Sequence, residues 1–236
     1  MLRVTLRNVG DQLSSLNNRL LVLACVTMLL YGCQTAYPIR RVKGDATTLT
    51  ALPWERAKTW DQFSDPWSEL PNVNTTFRAL HDAEWIYFMY ECEDEQIVMH
   101  TAPDPEEAAV RSDRVELFIA ADDQLQRYYT FELDASGRMF DAEAEYYRKV
   151  DAGWNLPTTA YQIQAKRTKT GYRVWFALSQ KALKSLDLLR ENQLTAAVLR
   201  ADYHPERPTQ WITWKDPQLP KPDFHTPEVF GVFYLK

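Results

Sequence analysis

The apolar residues of this chain follow two rhythms. Residues 20–31 (LLVLACVTMLLY) form one unbroken apolar run, whereas beyond residue 50 apolar side chains come in short bursts separated by turn residues. Trp85-Ile86-Tyr87-Phe88-Met89-Tyr90-Glu91-Cys92 is rich in aromatics and bounded by acidic residues, the pattern of a buried strand. Arg114 to Ile119 alternates polar and apolar and stops at Asp122-Asp123, and Tyr128 to Leu133 closes on the turn cluster Asp134-Ala135-Ser136-Gly137. Gln162 to Thr168 and Tyr172 to Ala177 flank Lys169-Thr170-Gly171 and predict a hairpin; Leu194 to Ala201 and Val229 to Tyr234 predict two further strands. One stretch, Ser179 to Leu189, has helical spacing and a serine placed to cap it. The sum is an all-β fold, a two-sheet antiparallel β-sandwich of jelly-roll type with one short helix.

The unbroken run has another meaning. It follows Arg3, Arg7 and Arg19, is too short to cross a bilayer, which takes about 20 apolar residues, and ends at Gly32-Cys33, the layout of an export signal. Leu30-Tyr31-Gly32-Cys33 resembles the bacterial lipobox, departing from it at Tyr31. This implies that residues 1–32 are a lipoprotein signal peptide and that Cys33 is lipidated and holds the chain to a membrane. Gln34 after the cysteine favours the outer membrane, and so a cell-envelope location. Residues 33–50 lack apolar periodicity and carry Pro38, Arg40, Arg41 and Lys43, so they are expected to be a tether, with the domain at 51–236.

From Cys33 onward 204 residues remain, enough for one domain with a full core. They carry 24 basic against 31 acidic residues, a net charge of −7, which argues against nucleic acid as a partner. Cys92 has no further cysteine to pair with once Cys33 is lipidated, and it reads as a small buried hydrophobe.

Several stretches, in order, resemble the family 9 carbohydrate-binding modules and their wider DOMON-like relatives. They are Trp54-Glu55-Arg56-Ala57 with Phe63, Asp113-Arg114-Val115-Glu116-Leu117-Phe118-Ile119, and Tyr129-Thr130-Phe131-Glu132-Leu133-Asp134 with Gly137, Asp141 and Trp154. The closing segment, Trp214-Lys215-Asp216-Pro217 with Pro222-Asp223-Phe224-His225-Thr226-Pro227-Glu228-Val229-Phe230-Gly231, is the most specific of them. The resemblance spans about residues 50–236. It implies a non-catalytic sandwich with a sugar-binding hollow, where two Trp rings clamp a sugar and a carboxylate, an arginine and amides bond its hydroxyls. It also implies a role in carbohydrate catabolism beside a glycoside hydrolase or another envelope protein. Glu116 matches the family carboxylate. Val110 stands where a clamp Trp is expected, and Glu132 and Asp134 stand where an Arg and an Asn would bond the ligand.

The expected ligand-binding residues are Glu116, Arg200, Trp211, Trp214 and Asp134. Glu116 faces away from Val115 and Leu117 and either meets sugar hydroxyls or pairs with Arg200. Trp211 and Trp214, three apart, fall on opposite faces of a strand, and an exposed one would be a stacking platform. Trp85 and Trp175 read as core, and Tyr128, Tyr146 and Tyr147 as rim aromatics. Asp141, Glu143 and Glu145 alternate, which reads as a solvated strand face rather than a glycosidase acid/base pair. No catalytic residue or cofactor is expected, although some relatives bind calcium. His81, His100, His204 and His225 show no metal-ligand spacing. Two rival readings remain. One is a haem-binding electron-transfer domain using Met89, Met99 or Met139 with His100 or His204. The other is an assembly sandwich whose sugar site has decayed, which the Val110 position favours.

Overall fold

The computed structural model describes residues 35–43 and 48–236. Among them, twelve strands form two layers: β1 (Ala36–Arg41), β2 (Thr75–His81), β3 (Trp85–Glu93), β4 (Arg114–Ala120), β5 (Tyr128–Asp134), β6 (Met139–Glu145), β7 (Lys149–Asp151), β8 (Tyr161–Arg167), β9 (Gly171–Ser179), β10 (Gln193–Asp202), β11 (Gln210–Thr213) and β12 (Gly231–Leu235). The first layer runs β7-β6-β5-β4-β10-β12-β1, with β11 continuing the edge of β10 where β12 leaves off; the second runs β1-β2-β3-β9-β8.

The strand β1 belongs to both layers. Ala36 to Ile39 pair in parallel with β12, and Arg40 and Arg41 then pair in parallel with β2. Every other strand pair is antiparallel. This corrects the expected tether at 33–50: Ala36–Arg41 is the strand on which the sandwich turns from one layer to the other. Tyr37 and Ile39 are fully buried in the main core, and the Tyr37 hydroxyl accepts the Ala79 N–H and donates to the Lys58 carbonyl. The lipobox, Cys33 and the expected signal peptide lie outside the described residues.

Alternation explains the layers. Val115, Leu117 and Ile119 of β4, Phe131 and Leu133 of β5, and Phe88 and Tyr90 of β3 all point into the space between the sheets. The opposite faces are covered too. Tyr87, Met89, Trp175 and Ala177 lie under Leu49, Leu52, Trp54 and Ala57, while Phe118, Tyr128 and Leu199 lie under Phe224, Val229 and Phe230. A strand covered on both sides needs apolar character throughout, and β4 and β5 are buried at every position. Trp175 is therefore buried in a satellite core outside the sandwich interior, with Trp85 only partly buried against it. Cys92 is buried between the sheets, where loss of solvent pushes its thiol up to about 11, so it is unreactive.

The predicted hairpin is present as β8 and β9. Its Gly171 has φ 155°, and a Cβ there would lie 2.0 Å from the Cys92 carbonyl, so only glycine fits. The expected helix is α2 (Gln180–Ser185), following Ser179. A second helix, α1 (Pro105–Val110), was not expected; Asp104 caps it by accepting the Glu106 N–H, and Pro105 opens it.

Because β1 closes both layers, a chain beginning at residue 44 should lose cooperative urea unfolding, whereas one beginning at residue 35 should keep it, as followed by tryptophan fluorescence.

Candidate functional site

The cover over the outer face of the first layer is incomplete at one end. There Arg114, Glu116, Arg148, Trp211 and residues 222–225 surround a recess of about 220 Å³. Register places them: Arg114 pairs with Ala201, which pairs with Trp211, so the three share a face across β4, β10 and β11. Glu116 stands opposite Glu132 on β5. The outer wall is Pro222-Asp223-Phe224-His225, held down where Phe224 meets Trp67 and Trp211, the latter edge-on at 5.7 Å.

At the base, two glutamates share one guanidinium. Arg114 Nε donates to Glu132 at 2.7 Å, and its Nη1 donates to the Val110 carbonyl and the Tyr203 hydroxyl. Arg114 Nη2 lies 2.9 Å from Glu116 Oε1, but that oxygen has no properly directed hydrogen bond, so this contact is ionic rather than directional. Burial first, and the charge of Glu132 second, push the Glu116 carboxyl up to about 8 against the opposing pull of Arg114. Glu116 thus holds a proton more readily than an exposed carboxyl does, and it lines the recess beside Arg114.

The remaining wall is also set by charge. Arg148 pairs with Asp223 at 2.9 Å, and Asp223 accepts the His225 N–H, which together with the Tyr147 hydroxyl and Arg148 hold its carboxyl below the usual range. His225, which the sequence singled out only for lacking metal-ligand spacing, lines the recess; its Nδ1 is 2.8 Å from the Tyr128 hydroxyl. Burial and the nearby Arg148 charge lower it to about 4, so the imidazole is neutral at physiological pH. Arg148 and Asp223 were missed as well, because they come from a hairpin and a loop whose approach no strand pattern encodes.

Of the expected ligand residues, Glu116 and Trp211 meet at the recess and three do not. Arg200 does not pair with Glu116: it is one residue past Leu199, the partner of Glu116, and so points to the opposite face. There it is fully buried, bonded to Asp202 and the carbonyls of Glu93 and Asn74, and packed on the Tyr172 ring at 5.5 Å. Trp214 falls on the opposite face from Trp211 as the spacing requires, but as a core residue, only 3% exposed, its indole N–H donating to the Val229 carbonyl. Asp134 is a turn residue whose oxygens accept from Ser136 and Arg138. The Asp141 series is not a uniformly solvated face either. Asp141 is buried and accepts the Leu156 N–H, Glu143 accepts from Tyr129, and Glu145 alone is exposed.

Asp94, Asp113 and Asp202 bring carboxylate oxygens within 4.8 Å of one another. Calcium takes 6–8 oxygen ligands, which this set does not supply. Arg200 already lies 2.5 Å from Asp202 and 3.5 Å from Asp94, and Asp113 accepts the N–H groups of Val98 and Tyr203. The cluster fits a guanidinium better than a calcium ion.

Sequence comparison agrees with this architecture. Residues 45–236 match the family described as Carbohydrate family 9 binding domain-like, and the chain belongs to that family. No curated protein sequence matches it. Among solved structures it resembles a candidate carbohydrate-binding protein from Bacteroides uniformis (TM-score 0.71, 14% identity, 86% of this chain and 100% of that one). It also resembles a family 9 carbohydrate-binding module from Caldicellulosiruptor kristjanssonii, solved with glucose (TM-score 0.56, 13% identity, covering 86% and 96%) and with cellotriose (0.59, 13%, 86% and 94%). At these identities the structural likeness shows the fold.

A carboxyl raised from 4.5 to about 8 makes the folded state bind more protons than the unfolded chain between those values, so its contribution to stability is lost as pH rises through the interval. Wild type should therefore lose stability relative to Glu116→Gln between pH 5 and 8, measured as the difference in urea midpoints.

Proposed function

We propose that this protein is a non-catalytic carbohydrate-binding module that takes the end unit of a glycan into the recess beside Glu116. The observation that carries the reading is the pairing, in a member of this family, of a ring wall with a directional polar base. Trp211 and Phe224 offer apolar faces, and Glu116, Arg148 and Asp223 offer hydrogen-bonding groups around one small volume. Sugars are bound by such mixtures, because their C–H faces pack on rings while their hydroxyls read fixed donors and acceptors. At about 220 Å³ the recess is smaller than the roughly 300–1,000 Å³ of sites for drug-sized ligands, which suits one sugar unit better than several.

The full chain is read here as an exported lipoprotein anchored through Cys33 at the cell envelope, the outer membrane being favoured, where the module would hold glycans for a glycoside hydrolase or another envelope protein. The lipobox-like Leu30-Tyr31-Gly32-Cys33 behind a basic, then apolar, stretch supports this.

Trp211→Ala should weaken glycan binding about 10-fold or more with the fold intact, as read by calorimetry with the strongest ligand from a glycan array. A well-folded wild type that binds nothing on a broad array would support the decayed-site reading instead. Cys33→Ala should abolish palmitate labelling and release the protein from the membrane fraction, since lipid attachment is the anchor.

A further inference from the structure

Among the described residues, the large apolar side chains left mostly exposed are Tyr146 (45%), Tyr147 (51%) and Val150 (42%), and all three belong to the single hairpin joining β6 to β7. Isolated exposed apolar residues are ordinary, but a cluster on one element marks a contact surface. This hairpin is joined to the recess. The Tyr147 hydroxyl donates to Asp223 Oδ2, and Arg148 pairs with Asp223 Oδ1 while lying over the Tyr147 ring at 5.4 Å. Asp223 and Arg148 are both recess walls. The two tyrosine rings meet at 5.3 Å and 63°, edge to face, so each braces the other. Arg148 takes φ 56°, a conformation uncommon outside glycine, in turning the chain between these rings and the recess wall.

From this placement we propose that Tyr146 and Tyr147 form a second sugar subsite, outside the recess, that stacks the next unit of a glycan whose end unit occupies the recess. The inference rests on the sugar-binding reading of the recess and adds a length preference to it. A recess with room for one unit leaves the rest of any longer chain outside, and the bond from the Tyr147 hydroxyl to Asp223 holds this tyrosine beside the recess wall. Stacking on an exposed tyrosine suits a neutral pyranose, whose weakly apolar C–H face packs on an aromatic ring. The alternative occupant, a protein surface, would make no use of glycan length.

The test uses the whole protein, with a matched series of one, two and three sugar units of the best array ligand, glucose, cellobiose and cellotriose being the first probes. Wild type should bind the two-unit ligand about 3- to 10-fold more tightly than the single unit, a gain of the size expected for one ring stack. Tyr147→Ala should remove that gain, so that the variant binds one and two units equally well. Tyr147→Phe, which keeps the ring and deletes the bond to Asp223, should preserve most of it, and Tyr146→Ala should reduce it. Equal affinity for one and two units, or alanine variants that keep the length gain, would overturn the subsite while the recess reading stands. Loss in Tyr147→Phe equal to that in Tyr147→Ala would overturn it in favour of a positioning role through Asp223. A wild type that binds no member of a broad array overturns the recess reading and the subsite together.

Discussion

A residue in a β-strand can face only one of two sides, and this protein puts different chemistry on each. Along β4, Val115, Leu117 and Ile119 go to the core, while Arg114, Glu116 and Phe118 go outward. Along β10 the same rule sends Leu199 outward and Arg200 inward. Arg200 then reaches from the first sheet to Thr75, Glu93 and Asp94 of the second, fastening the open end of the sandwich with a buried charge that is paired and hydrogen-bonded. Buried charges are tolerated only with such partners. The site and the fastener are thus back to back, separated by one residue step on the same strand.

Both outer faces of this sandwich are covered, so the recess is better understood as a gap in a cover than as a groove in a bare sheet. Phe224, Val229 and Phe230 seal the apolar part over Phe118 and Tyr128, and the seal ends where the sheet becomes polar at Glu116 and Glu132. At Val110, where the family would place a clamping ring, the backbone carbonyl instead accepts from Arg114 and from Tyr203. That leaves Trp211, flanked by Tyr203 and Phe224, as the principal ring of the recess.

The alternation of apolar residues made the architecture legible. The strands at 85–92, 114–119, 128–133 and 194–201 and the Gly171 hairpin follow from periodicity and turn chemistry, and the family resemblance over 50–236 anticipated the match at 45–236. β1 was not legible, because Ala36-Tyr37-Pro38-Ile39-Arg40-Arg41 is short, interrupted by proline, and splits its pairing between β2, about 40 residues on, and β12 near residue 235. Helix α1 was legible in principle, since Asp104-Pro105-Glu106-Glu107 is a helix-start signal. At the site, spacing correctly separated Trp211 from Trp214, but it could not tell which face was covered. Arg200 was misassigned for a simpler reason: pairing it with Glu116 needed the register between β4 and β10, and a shift of one residue reverses every side chain.

The pairing of β1 with β12 has a consequence for how the molecule is made. Ala36 bonds beside Val232, 196 residues later, so the first layer cannot be completed until almost the whole chain has been synthesised. Contacts this distant in sequence form slowly, because the loop between them must be ordered before they bring any reward. Until its last strand arrives, the polypeptide is held short of its closed form, and premature folding is checked by topology alone.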